Sequence, residues 1–75
     1  MIKELDNVVL SVDLPGLGLK AGDVGTVVLV HGAGQGFEVE FVALDGETIA
    51  VATLNASDLR PVGHGDMVHA RSLAA

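Results

Sequence analysis

Leu19-Lys20-Ala21-Gly22-Asp23-Val24-Gly25-Thr26-Val27-Val28-Leu29-Val30 decides the fold of this chain. Turn chemistry, Gly22-Asp23 and then Gly25, stands directly before an unbroken apolar run rich in β-branched residues. Branched side chains suit a pleated surface and disfavour a helix. The segment therefore reads as a barrel corner feeding a core strand.

Outward from this stretch the period stays at two. Asn7–Val12 carries Val8, Val9 and Leu10 as a first strand, broken by Asp13-Leu14-Pro15-Gly16-Leu17-Gly18 into an irregular loop. Gly25–His31 is the second strand. Gly32–Gly36 is a hairpin loop in which three glycines supply positive φ. In Phe37-Glu38-Val39-Glu40-Phe41 the aromatic and aliphatic residues point inward and both glutamates outward. Asp45-Gly46 signals the next hairpin, and Glu47–Leu54 the fourth strand. Asn55-Ala56-Ser57-Asp58 suits one helical turn, and Leu59–Val62 closes as an edge strand where Pro61 is tolerated.

These elements predict an all-β chain: a small SH3-like five-stranded barrel over residues 1–62 with a one-turn helix before the last strand. Residues 63–75 form a C-terminal tail, flexible or ordered by a partner subunit. An OB-like barrel is the runner-up, but residues 42–46 leave no room for its usual helix.

Two strands are apolar on both faces. Val27 and Leu29 oppose Val28 and Val30 in the second; Ile49, Val51 and Thr53 oppose Ala50, Ala52 and Leu54 in the fourth. A closed barrel has one interior, so the second apolar set needs cover. The loop residues Leu14, Leu17 and Leu19, the tail, and another subunit are the sources of it. On the last reading the interface comprises Val28, Val30, Ala50, Ala52 and Leu54, joined by Met67 and Leu73 from the tail.

Composition limits the functions available. A domain of 75 residues buries only about 60% of its unfolded surface, so stability is thin. Without cysteine there is no disulfide or thiolate metal site, which favours self-association as the added source of stability and a reducing cytoplasm as the compartment. Ten acidic residues face four scattered basic ones, Lys3, Lys20, Arg60 and Arg71, so no cation cluster exists to bind nucleic acid or anionic lipid. The acidic surplus serves solubility, or else meets a basic partner, or mimics nucleic acid through the Glu38/Glu40 face. Met1–Asp6 has no apolar signal core, and Val27–Val30 is far too short to span a bilayer.

Candidate chemistry is sparse. His31, His64 and His69 are the only histidines, and His64-Gly65-Asp66-Met67-Val68-His69 matches no metal-ligand spacing. Glu38 and Glu40 share a strand face about 7 Å apart, the kind of carboxylate pair that performs acid–base work. No nucleophile or pocket aromatic accompanies them, and Gly32, Gly34 and Gly36 precede a strand rather than a phosphate-binding helix. The expectation is a non-enzyme without metal or cofactor.

The order Val8-Val9-Leu10, Asp13-Leu14-Pro15, Gly18–Val27, Phe37–Phe41, Asp45-Gly46, Leu59-Arg60-Pro61 resembles the domain-of-unknown-function 4926 family of short bacterial proteins over roughly residues 5–62. The resemblance implies an SH3-like fold and an unassigned role, with some members paired in toxin–antitoxin-like gene arrangements; it carries no catalytic residues. Gly22–Val27 is also similar to the KOW-type turn of ribosomal and transcription-factor barrels and to the barrel of nitrile hydratase beta subunits. In KOW barrels basic neighbours supply RNA affinity, whereas here only Lys20 stands nearby and Asp23 repels phosphate. The favoured function is a small interaction or structural module, homo-oligomeric or bound to a protein partner. A nucleic-acid-associated barrel and an accessory barrel of an enzyme complex are the alternatives.

Overall fold

Apolar alternation and glycine-rich breaks produce a five-stranded antiparallel sheet in the computed structural model, which describes residues 1–73. The strands are β1 (Asn7–Leu10), β2 (Val24–His31), β3 (Gly36–Val42), β4 (Thr48–Leu54) and β5 (Leu59–Pro61). Their order across the sheet is β4-β3-β2-β1-β5. Single 3-10 turns occupy Pro15–Leu17 and Ala56–Asp58, the second directly before the last strand as the sequence predicts. No described helix is long and apolar enough to cross a membrane.

The sheet curls around one core. Val8, Leu10, Leu19, Val27, Phe37, Val39, Phe41, Ala52, Leu54 and Leu59 form a single buried cluster drawn from all five strands and the long loop. Each large aliphatic side chain buried there contributes about 1.5–3 kcal/mol of transfer free energy. Among the described residues no ladder joins β4 to β5. Leu54 and Leu59 both belong to the core, and the 3-10 turn bridges the two strands. Asn55 N–H donates to Asp58 Oδ2 at 3.0 Å, Asp58 N–H donates back to the Asn55 carbonyl at 2.9 Å, and Ser11 N–H ties β1 to the Asp58 carbonyl at 2.7 Å.

Two bulges change which side chains face inward. In the β2–β3 register Val27 opposes Val39 while Leu29 opposes Glu38, so Val28 is an extra residue. Beyond it the alternation is reset: Val27 is buried, Val30 packs against the core, and Leu29 joins the outer face beside Glu38. In the β3–β4 register Phe41 opposes Ala50 while Val42 opposes Thr48, leaving Ile49 extra and packed against the core beside Ala50. Ile49 therefore parts from Val51 and Thr53, with which simple alternation had grouped it.

The long loop supplies part of the cover. Leu19 is buried and Leu14 packs against the core, the two joined by reciprocal backbone hydrogen bonds of 2.9 and 3.1 Å; Leu17 stays exposed.

Candidate functional site

The outer face of β2, β3 and β4 carries a connected set of hydroxyl, carboxylate and imidazole side chains. Register places Thr26, Glu40 and Val51 in one row across the sheet and Leu29, Glu38 and Thr53 in the next. His31 Nε2–H donates to Glu38 Oε2 at 2.6 Å, and Thr53 Oγ1–H reaches both carboxylate oxygens at 2.8 Å. These donors hold the Glu38 carboxyl below its ordinary value, the histidine bond contributing most and the threonine next. Thr48 Oγ1–H donates to Glu40 Oε2 at 2.9 Å, and Thr26 Oγ1–H to Asn7 Oδ1 at 3.1 Å. Between the carboxylates and alongside them stand Val28, Leu29 and Val51, at 42, 44 and 55% exposure.

Thr48 and Thr53 each donate a hydroxyl proton to a glutamate and Thr26 donates to Asn7, and the Glu38 carboxyl, held below its ordinary value, is a weak proton acceptor for a hydroxyl. Among the described residues no group of three or more His, Asp or Glu side chains stands close enough to share a metal ion. His64 and His69 lie in the exposed tail.

The acidic surplus has a second use. Each of the six aspartates accepts a backbone N–H. Four do so by one design: residue i donates its N–H to the carboxylate of Asp i+3, at Lys3–Asp6, Lys20–Asp23, Asn55–Asp58 and Gly63–Asp66. In each the aspartate N–H donates back to the carbonyl of residue i at 2.9–3.1 Å. In three of them the third residue has positive φ: Leu5 at 71°, Gly22 at 97° and Gly65 at 90°. The aspartates are turn fasteners, leaving Glu38 and Glu40 as the carboxylates presented by the sheet.

Beyond β5, residues 66–73 have no helix or strand. The tail first makes the Gly63–Asp66 turn, whose aspartate also receives Arg60 at 2.8 and 3.1 Å. The Arg60 guanidinium first, and the Gly63 N–H second, pull the Asp66 carboxyl down to about 2. The chain then returns to the corner that begins β2. Arg71 forks onto Asp23, with Nε–H to Oδ1 at 2.9 Å and Nη2–H to Oδ2 at 2.5 Å, and Nη2 also donates to the Gly18 carbonyl at 3.0 Å. Arg71 is the main reason the Asp23 carboxyl lies below its ordinary value. Beside the tail runs an apolar groove of about 440 Å³, floored by Leu19, Phe41 and Ile49 and edged by Val24, Val42 and Leu44.

The residues expected at an interface are thus divided. Ala52 and Leu54 are buried in the chain's own core, and Ala50 and Val30 pack against it, because the two bulges turn them inward. They leave the candidate surface. Val28 remains exposed on the sheet, Met67 is exposed in the tail, and Leu73 lines the groove. Leu29 and Val51 were missed. No sequence signal marked them, since Val27–Val30 is apolar throughout and a bulge within it leaves the pattern unchanged. The Asp23–Arg71 pair was missed as well, although the repeated Gly-Asp at 22–23 and 65–66 was open to view.

The model of a domain of unknown function, DUF4926, matches residues 4–61, from just before β1 to the end of β5, and leaves the tail outside the match. No curated protein and no solved structure matches the chain.

Proposed function

The chain belongs to the domain-of-unknown-function 4926 family, and from that premise we propose that it is a small non-catalytic interaction module that binds a protein partner through the outer face of β2, β3 and β4. The observation that carries this reading is the exposed apolar set Val28, Leu29 and Val51 interleaved with Glu38 and Glu40. Apolar side chains flanked by carboxylates suit a partner surface with an apolar centre and basic rim, and the chain's net charge of −6 steers such a partner toward it. The partner is therefore a basic protein, which this chain neutralises in the manner of a toxin–antitoxin-like pair.

The nucleic-acid alternative finds little support in the same geometry. Arg60 and Arg71 are each paired with an aspartate, and the glycine corner that resembles a KOW turn carries Asp23 and the tail across it.

Co-purification from the native host tests the proposal. A stoichiometric basic protein should be retained, and Leu29→Asp or Val51→Lys should release it without lowering the melting temperature, because both side chains are solvent-exposed. Recovery of a lone monomer, or retention of the partner by both variants, would refute it. A gel shift with RNA and DNA at low salt separates the alternative reading, which predicts retardation there.

A further inference from the structure

The tail's seating on the β2 corner leaves much of its groove unfilled. Arg71 is well held, by the two oxygens of Asp23 and the Gly18 carbonyl, an acceptor set that matches a planar guanidinium. Its neighbours are not: Met67 and Val68 remain 90 and 71% exposed, and about 440 Å³ stays open over Leu19, Phe41 and Ile49. Met67 lies outside the groove, and Val68, Ala70 and Leu73 line its wall without filling the space over the floor. A polar anchor is satisfied while an apolar slot next to it stays empty.

We propose that this groove is a peptide-docking site for an extended segment of a partner protein that carries an arginine flanked by aliphatic residues, and that residues 66–73 are its intramolecular competitor. The arginine enters the Asp23–Gly18 acceptor pair, and an aliphatic neighbour occupies the floor that the tail leaves open. Charge complementarity selects the occupant: the anchor is a partly buried carboxylate on a chain of net charge −6. The tail is joined to the sheet through the Gly63–Asp66 turn, so it can leave the groove without disturbing any strand. This inference rests on the reading of the chain as an interaction module, but its groove is lined by neither Leu29 nor Val51, so variants of those residues leave it untouched.

The test uses the full chain and a fluorescein-labelled peptide of the sequence Asp66–Leu73, followed by fluorescence anisotropy at low salt. A strap closed ~90% of the time weakens apparent affinity about tenfold, so Arg71→Ala and Arg71→Gln should each bind the peptide about tenfold more tightly than the wild-type chain. Adding Asp23→Asn, which keeps an oxygen for the Lys20 N–H, should abolish that gain, as should replacing the peptide's arginine by glutamine. Amide spectra of the variants that superimpose on wild type outside residues 18–24 and 66–73 establish that the sheet is intact. Equal affinity of wild type and both Arg71 variants, or binding indifferent to the peptide's arginine, overturns the proposal. A wild-type dimer that Arg71→Ala dissociates also overturns it, because the groove then belongs to the tail of a second copy.

Discussion

The turns at Lys20–Asp23 and Gly63–Asp66 are built alike, yet they lead into different structures. Each has a glycine of positive φ in third place and an aspartate that accepts the N–H of the first residue. The first turn opens the eight-residue β2, flanked by β1 and β3; the second opens a segment without regular structure. Turn chemistry is therefore not the cause of the strand. After Asp23 the chain enters a slot between two strands that satisfy its backbone and bury Val27. After Asp66 no strand is alongside, and Met67 and Val68 stay in solvent.

Substitutions in and beside the two turns separate them. The largest effect belongs to Gly25, where an added Cβ would stand 2.6 Å from Val39 Cγ1, 2.9 Å from Phe41 Cε1 and 3.0 Å from the Glu40 carbonyl oxygen. Gly25→Ala should destabilise by about 2–3 kcal/mol, read as a lower midpoint in urea. Gly63→Ala meets only Asp66 Oδ2 at 3.4 Å, and its unfolding midpoint should match wild type.

Next in size is Asp23→Ala, which removes the turn bond to Lys20 and the anchor of Arg71 together; a loss of about 1–2 kcal/mol is expected in thermal or chemical unfolding. Asp66→Ala should leave global unfolding unchanged and instead speed hydrogen exchange at the Gly63 amide. Equal global losses for the two aspartates would erase the distinction drawn between the turns.

A third turn of this design carries Leu5 at φ 71° where the others have glycine. Its side chain is 80% exposed, so little burial is at stake. Relief of the left-handed strain, less the entropy that glycine adds to the unfolded chain, should make Leu5→Gly more stable by about 0.5–1 kcal/mol. An unfolding midpoint equal to or below wild type would show that the strain is absorbed elsewhere.

The smallest effect concerns pH. The Asp66 carboxyl is depressed from 3.8 to about 2, so its bonds to Arg60 and Gly63 are fully present above the ordinary value and are lost as pH falls through about 2. The Gly63 amide shift, followed by NMR, should titrate with its midpoint near the lower value. A midpoint at the ordinary carboxylate value would mean that the second turn is open in solution.

Most of the architecture was legible in the sequence, because glycine turns or Asp-Gly set off β2, β3 and the start of β4, Pro61 ends β5, and β3 alternates cleanly from Phe37 to Phe41. The five strands and the turn at Ala56–Asp58 arise from those signals. The facing of β2 and β4 was not legible. Val28 and Ile49 are bulge residues inside apolar runs, and an extra valine or isoleucine there leaves the hydrophobic pattern intact while reversing the facing of every later residue in the strand. Hence Ala52 and Leu54 moved from the expected interface to the core, and Leu29 and Val51 took their place outside. The acidic residues were legible as charge but not as turn fasteners, since that role depends on carboxylate geometry three residues from a free N–H.

Gly25 also governs alignment. Within Val27–Val30 a shift of β2 by one residue exchanges one apolar side chain for another, so burial barely distinguishes the correct register from its neighbour. The same shift would bring Thr26 to the place where Gly25 now lies against Val39, Phe41 and the Glu40 backbone. No side chain fits there. A missing Cβ, two residues before the run it governs, is the key that admits a single alignment of an otherwise ambiguous strand.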